Sequence, residues 1–236
     1  MGNQQRRPVT ADYLGSYAAV RGRLLGLIGA EDADTPVPGC PGWTVHDVLA
    51  HLTGLCEDWV NHRLDRYASG QWTADQVSRH RRSTCGEMLQ AWGDAMRQFG
   101  TLGDPFLGLP PARWAFGDAV VHEADVRGAL GAGRVPDDAV LLSLGDSMAR
   151  WEQVLSRASG PTLRVQSPEG SSWWVGTRDD PNAILVDAPV YELFRGVGGR
   201  RSLDQVVAWN WAADPEPILS LGLPYPFRWA SHALFD

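Results

Sequence analysis

"VPGCPGWTVHDVLAHLTG", residues 37–54, sets the reading of the whole chain. Its first half is a turn, since Pro38, Gly39, Pro41 and Gly42 all resist helix. Thr44 follows as an expected N-cap, with Asp47 three residues on in an approximation to a capping box. The second half opens a helix, expected over Val45–Tyr67, whose apolar side carries Val48, Leu49, Leu52, Leu55, Cys56, Trp59 and Val60. His51 stands among those residues. An unpaired imidazole in such a setting is costly, so it calls for a partner.

Working outward, Leu14, Tyr17, Ala18, Val20, Leu24, Leu25, Leu27 and Ile28 recur at helical spacing and predict a first helix from Thr10 to Ala30. A third is expected over Thr73–Phe99, with Val77, Cys85, Met88, Leu89, Trp92 and Met96 inward and an early part rich in Arg and polar residues. A fourth follows "LGLPPARW" and runs to about Leu130, with "LGAG" as its exit. Four amphipathic segments on short loops predict a four-helix bundle. A fifth helix is expected over Ala139–Arg157. Beyond Gly160, "PTLRVQS", "SSWWVGT" and "AILVDA" predict a small antiparallel sheet, and "PVYELFRGVGG" and "SLDQVVAWNW" two short helices. The fold class is therefore α+β, with an all-α N-terminal domain over 1–135 and a small α+β C-terminal domain over 136–236.

Composition narrows the function. The 236 residues carry a formal net charge of −7, and the arginines are scattered, which argues against nucleic acid and anionic lipid as partners. No apolar run is long enough to span a bilayer and the start has no signal-like core, so the expected location is the cytoplasm. Cys40, Cys56 and Cys85 lack C-x-x-C spacing, which suggests reduced structural thiols. Eleven tryptophans are many for this length, and a Trp-rich core in the small domain is the ordinary explanation.

Of six histidines, His46, His62, His80 and His232 read as surface or satisfied residues. His122 closes "DAVVH", so Asp118 and His122 stand at i and i+4, one turn apart on one helix face. That pair is half of a divalent-metal site, with His51 as the candidate third ligand and a fourth position open. On spacing alone, a solvated Asp–His pair and a His51 that donates to a carbonyl are the more ordinary readings.

"VPGCPGWTVHDVLAHLTG" together with "DAVVHEADVRGALG" resembles the actinobacterial family of mycothiol-dependent maleylpyruvate isomerase-like enzymes, and "YELFRGVGGRRSLDQVVAWNW" resembles that family's C-terminal segment. The resemblance implies a DinB-like metal-binding bundle over 1–135, mycothiol as cofactor, and a catalytic divalent metal, zinc first and nickel second. Its ligands would be His51, Asp118 and His122. The family carboxylate is normally glutamate, so Asp118 is one methylene short; Glu123 points about 100° around the helix and is a poor substitute.

A metal on two neutral imidazoles and one carboxylate lowers the pKa of a bound thiol or water. The expected activity is therefore the addition of mycothiol's sulfur to a small electrophilic substrate, by S-transfer or cis–trans isomerisation. Arg200 and Arg201 are the candidates to meet an acidic substrate or the cofactor's carboxylate. Asp125 and Arg127 read either as a helix-end ion pair or as a brace for the site. Two other readings stand beside this one: a metal hydrolase of an amide or thioester, with Glu123 or Asp47 as base, and a ligand-binding bundle without catalysis.

Overall fold

The computed structural model describes residues 12–102, 111–224 and 227–235. Their contacts divide the chain into two compact units. One comprises the described residues up to Asp34 and His46–Ala119; the other comprises Thr35–Val45 and the described residues from Val120 on. The sheet and several helices together give the expected α+β class. The contacts place 35–45 and 120–135 with the C-terminal part, whereas the division at 135/136 is our proposal for where the bundle domain ends.

In the first unit, α1 (Tyr13–Leu27) begins at Asp12, whose carboxylate accepts from Gly15 N. The expected start at Thr10 lies outside the described residues. Only Tyr17, Val20 and Leu24 of its apolar residues are fully buried, while Leu14 and Leu25 face water. Tyr17 packs at 5.4 Å from the Trp92 ring and 5.6 Å from Phe99. Arg21 Nε donates to Leu89 O, tying α1 to the segment that carries Trp92 and Phe99.

Helix α2 (Val45–Val60) stops seven residues before the expected end at Tyr67. His62 adopts a left-handed φ of 55°, and Arg63 N donates back to Asp58 O. This is a Schellman-type stop at a residue other than glycine. The expected third helix is two: α3 (Gly70–His80) and α4 (Cys85–Phe99). The break comes at Thr84, whose side chain accepts from Glu87 N while the Glu87 carboxylate accepts from Thr84 N, a capping box that starts α4 afresh.

Helix α5 (Pro111–Leu130) ends as expected, with Gly131 at φ 63° and Ala132 N donating to Arg127 O. The "LGLPP" part of its expected entry falls outside the described residues or their side chains.

In the second unit, α6 (Asp137–Arg157) is followed by β1 (Leu163–Gln166), β2 (Ser172–Val175), β3 (Ile184–Asp187), α7 (Val190–Val197), α8 (Leu203–Val207), β4 (Asn210–Trp211) and α9 (Glu216–Leu219). The sheet order is β2-β1-β3-β4. It is mixed rather than antiparallel, because β3 crosses to the far side of β1 and pairs with it in parallel. Leu163, Val165, Val175 and Val186 form its buried face, against Leu144, Met148, Trp151 and Leu155 of α6 and Leu193 and Val197 of α7. Trp173, Trp209, Trp211 and Trp229 cover the edges of this core, as a Trp-rich small domain requires.

Candidate metal-ligand histidines and their supports

In the first unit, His51 and Asp118 come together. His51 is 6% exposed, and its Nε2 lies 3.0 Å from Asp118 Oδ2. Its Nδ1 lies 2.7 Å from Gln76 Oε1 on α3. The Gln76 amide is itself oriented, since its Nε2 donates to Asp58 Oδ2 at 2.9 Å. A carboxylate cannot donate, so the amide nitrogen must face Asp58 and the amide oxygen must face His51. The His51 proton is thereby assigned to Nδ1 by the network.

The consequence lies at the other ring nitrogen. In neutral His51, Nε2 carries a lone pair and faces a carboxylate oxygen at hydrogen-bond distance. Two acceptors placed this way repel unless a proton or a metal ion lies between them. A histidine nitrogen and a carboxylate oxygen are both ordinary ligands for zinc, so this donor set fits the ion the resemblance implies.

In the second unit, His122 belongs to a buried polar cluster. Its Nδ1 is 3.2 Å from Asp125 Oδ2 and 3.4 Å from Cys40 Sγ. Arg195 Nη2 donates to Asp125 Oδ1 at 2.8 Å, and Arg200 Nη2 to Asp125 Oδ2 at 2.6 Å. Burial alone would raise the Asp125 carboxyl, but Arg200, Arg195 and His122 outweigh it and hold the group well below the usual aspartate range. An ionised carboxylate beside Nδ1 fixes the proton there, although Arg200 Nη2 also approaches that nitrogen at 3.4 Å. The carboxylate is closer and charged, and Arg200 already donates to it.

Cys40, His122 and Asp125 have the donor types and spacing of a metal site. Two guanidiniums on Asp125 make it an unfavourable place for a cation. Burial first, then Asp125, push the Cys40 thiol well up, so it is not a ready thiolate. Burial likewise pushes Cys56 up to about 12 and raises Cys85.

The turn read at the outset builds this cluster. Val37 N donates to Trp43 O, closing the 37–43 loop, and the Trp43 ring stacks on His122 at 6.1 Å between centroids. Gly39 lies so close to Asp125 that a Cβ there would meet Oδ1, and would sit 2.9 Å from Cγ. Asp118 precedes His122 by four residues on the continuous helix α5, which keeps them one turn apart.

Arg200 and Arg201 diverge. Arg200 turns to Asp125 and keeps 12% side-chain exposure, whereas Arg201 is 3% exposed and forms a two-point pair with Glu192 at 2.7 and 2.8 Å. Asp125 is the brace of the two sequence readings, and Arg127 is the helix-end partner, bonded to Glu123 at 2.9 Å and to Ala132 O. His46 bonds the Ser83 carbonyl and His80 the Glu57 carboxylate, as satisfied histidines do. Gln76 and Asp58 carried no signal in the sequence, because the amide comes from another helix 25 residues away.

Residues 17–127 match the family model described as the mycothiol maleylpyruvate isomerase N-terminal domain. Two solved structures resemble the chain: the crystal structure of the mycothiol-dependent maleylpyruvate isomerase, with a TM-score of 0.52, and that of a histidine-to-alanine variant, with a TM-score of 0.55. Both are 15% identical, over 92% of this chain and 95% of theirs, a likeness of fold. No curated protein matches significantly.

Proposed function

We propose, from the match of residues 17–127 to the mycothiol maleylpyruvate isomerase N-terminal domain model, that this protein is a metal-dependent thiol enzyme of that family. It uses mycothiol and adds the mycothiol sulfur to a small electrophilic substrate. The ligands are His51, Asp118 and His122, with zinc the first candidate and nickel the second. The observation that carries the reading is the 3.0 Å approach of His51 Nε2 to Asp118 Oδ2, with Nδ1 of the same ring committed to Gln76. When bound, the ion supplies a Lewis acid that lowers the pKa of a thiol.

The chain's own residues supply the rest. Gln76 and Asp125 hold protons on the Nδ1 atoms of His51 and His122, so both imidazoles enter as neutral ligands. Asp118 adds one negative charge. The buried thiols of the protein stay protonated, which leaves the nucleophilic sulfur to the cofactor. Arg200 and Arg201 are assigned to an acidic group of cofactor or substrate. Arg200 is the better placed, because Glu192 occupies Arg201. Addition, bond rotation and elimination give a cis–trans isomer; addition with displacement gives S-transfer.

The test is turnover of small electrophiles with mycothiol, with another thiol, and with none. Turnover that needs mycothiol is expected. Turnover without any thiol would favour a hydrolase instead, although Glu123, one candidate base for it, is already bonded to Arg127. No turnover in a metal-loaded protein would point to ligand binding alone.

A further inference from the structure

We infer that Gln76 is a positioning residue for the proposed metal site: backed by Asp58, it holds a proton on His51 Nδ1, so that Nε2, facing Asp118, is the nitrogen a metal ion would take. The inference rests on the metal reading for its purpose, but its geometry lies entirely within the first unit. Gln76 is 0% exposed and Asp58 is 1% exposed. Arg63 Nε and Arg79 Nη2 both donate to Asp58 Oδ1 at 2.7 Å, which leaves Oδ2 to the Gln76 amide. The two arginines fix the aspartate, the aspartate fixes which way the amide faces, and the amide oxygen accepts a hydrogen bond from His51 Nδ1–H.

A flipped amide would set oxygen against the Asp58 carboxylate and nitrogen against Nδ1. The imidazole would then have to place its proton on Nε2, where a metal ligand needs a lone pair. The packing around Gln76 is cut to measure. A Cβ at Gly54, one turn after His51 on α2, would lie 2.7 Å from Gln76 Cβ and 3.1 Å from its Cα. Glycine at 54 therefore lets α3 approach closely enough for the amide to reach His51. Partners that orient the second nitrogen of a ligating histidine typically change metal affinity by about 10–100-fold when removed.

The test compares the wild type with Gln76→Met, Asp58→Asn and the double variant Asp58→Asn with Gln76→Glu. The double variant reverses the donor and acceptor at the joint while restoring an acceptor for His51 Nδ1–H. Two readouts are taken: the imidazole 15N shifts of His51 in metal-free protein, and zinc affinity by competition with a chelating dye. The expected result is a protonated Nδ1 in the wild type, beside whatever proton Asp118 holds at Nε2, and loss of the Nδ1 proton in Gln76→Met, where the Asp118 carboxylate keeps the remaining proton on Nε2. Zinc binding should weaken about 10–100-fold there and recover in the double variant. An unchanged tautomer in folded Gln76→Met, or equal zinc affinity in all four proteins, would overturn the inference. If wild type binds no zinc while the tautomer still depends on Gln76, the relay stands and the metal reading fails.

Discussion

His51 and His122 are each backed by a buried aspartate that two arginines hold, yet the two supports are built differently. Asp125 touches His122 directly, and of its arginines Arg195 is buried and Arg200 is mostly covered, at 2% and 12% side-chain exposure. Asp58 reaches His51 only through the neutral Gln76 amide, and its arginines, Arg63 and Arg79, are 44% and 31% exposed. The direct carboxylate brings a negative charge to Nδ1 of its imidazole, whereas the amide relay orients Nδ1 through a neutral group. The lesson is that one requirement, a proton held on Nδ1, can be met by local spacing along one helix or by a long-range contact. Only the first leaves a trace in sequence.

The largest contrast is expected from the two aspartates. Asp125→Ala strands the buried Arg195 and the mostly covered Arg200 and should cost about 3–5 kcal/mol in urea unfolding. Asp58→Ala should cost about 1–3 kcal/mol, because Arg63 and Arg79 can turn to water and only the amide is left unpaired. Equal losses would mean that burial of the arginines is not what separates the supports. Gly39→Ala comes next, at about 1–3 kcal/mol, since the new methyl must displace a fully buried carboxylate. A neutral result by thermal unfolding would show that the 37–43 loop can back away from Asp125.

The pair Glu192–Arg201 offers a smaller, pH-dependent effect. The Arg201 hydrogen bond, acting against burial, lowers the Glu192 carboxyl. Its stabilisation is therefore complete above the unfolded glutamate pKa of about 4.3 and is lost as pH falls through the folded value. Glu192→Gln keeps an acceptor for the buried Arg201 but removes its counter-charge, and should lower stability at pH 7 by about 1–2 kcal/mol and by less in acid, as paired unfolding curves at pH 7 and pH 3.5 would reveal. The smallest expected effect is none: the buried Cys40, Cys56 and Cys85 should not react with Ellman's reagent in folded protein at pH 8, and all three should react in urea.

Much of the fold was legible because periodicity is local. The α1, α2, α5 and α6 segments and the three expected strands, β1, β2 and β3, lie in the stretches where the sequence placed them. The misses have physical causes. The Thr84–Glu87 capping box cut one expected helix in two, and a left-handed His62 ended α2 without glycine or proline to announce it. The parallel pairing of β1 with β3 depends on a crossover that no strand encodes by itself. At the candidate site, the His51–Asp118 approach follows an expectation from histidine burial and helix spacing. Gln76 and Gly54 were unreadable, because their meaning is the distance between α2 and α3.

The central claim is that His51, Asp118 and His122 hold one divalent ion. It is tested by metal analysis of protein purified without chelator, for the wild type, His51→Ala and His122→Ala side by side. About one equivalent of zinc or nickel per chain in the wild type, lost from both variants while each stays folded, is the predicted result. A folded wild type that holds no metal even after incubation with zinc, or variants that keep it undiminished, would contradict the claim.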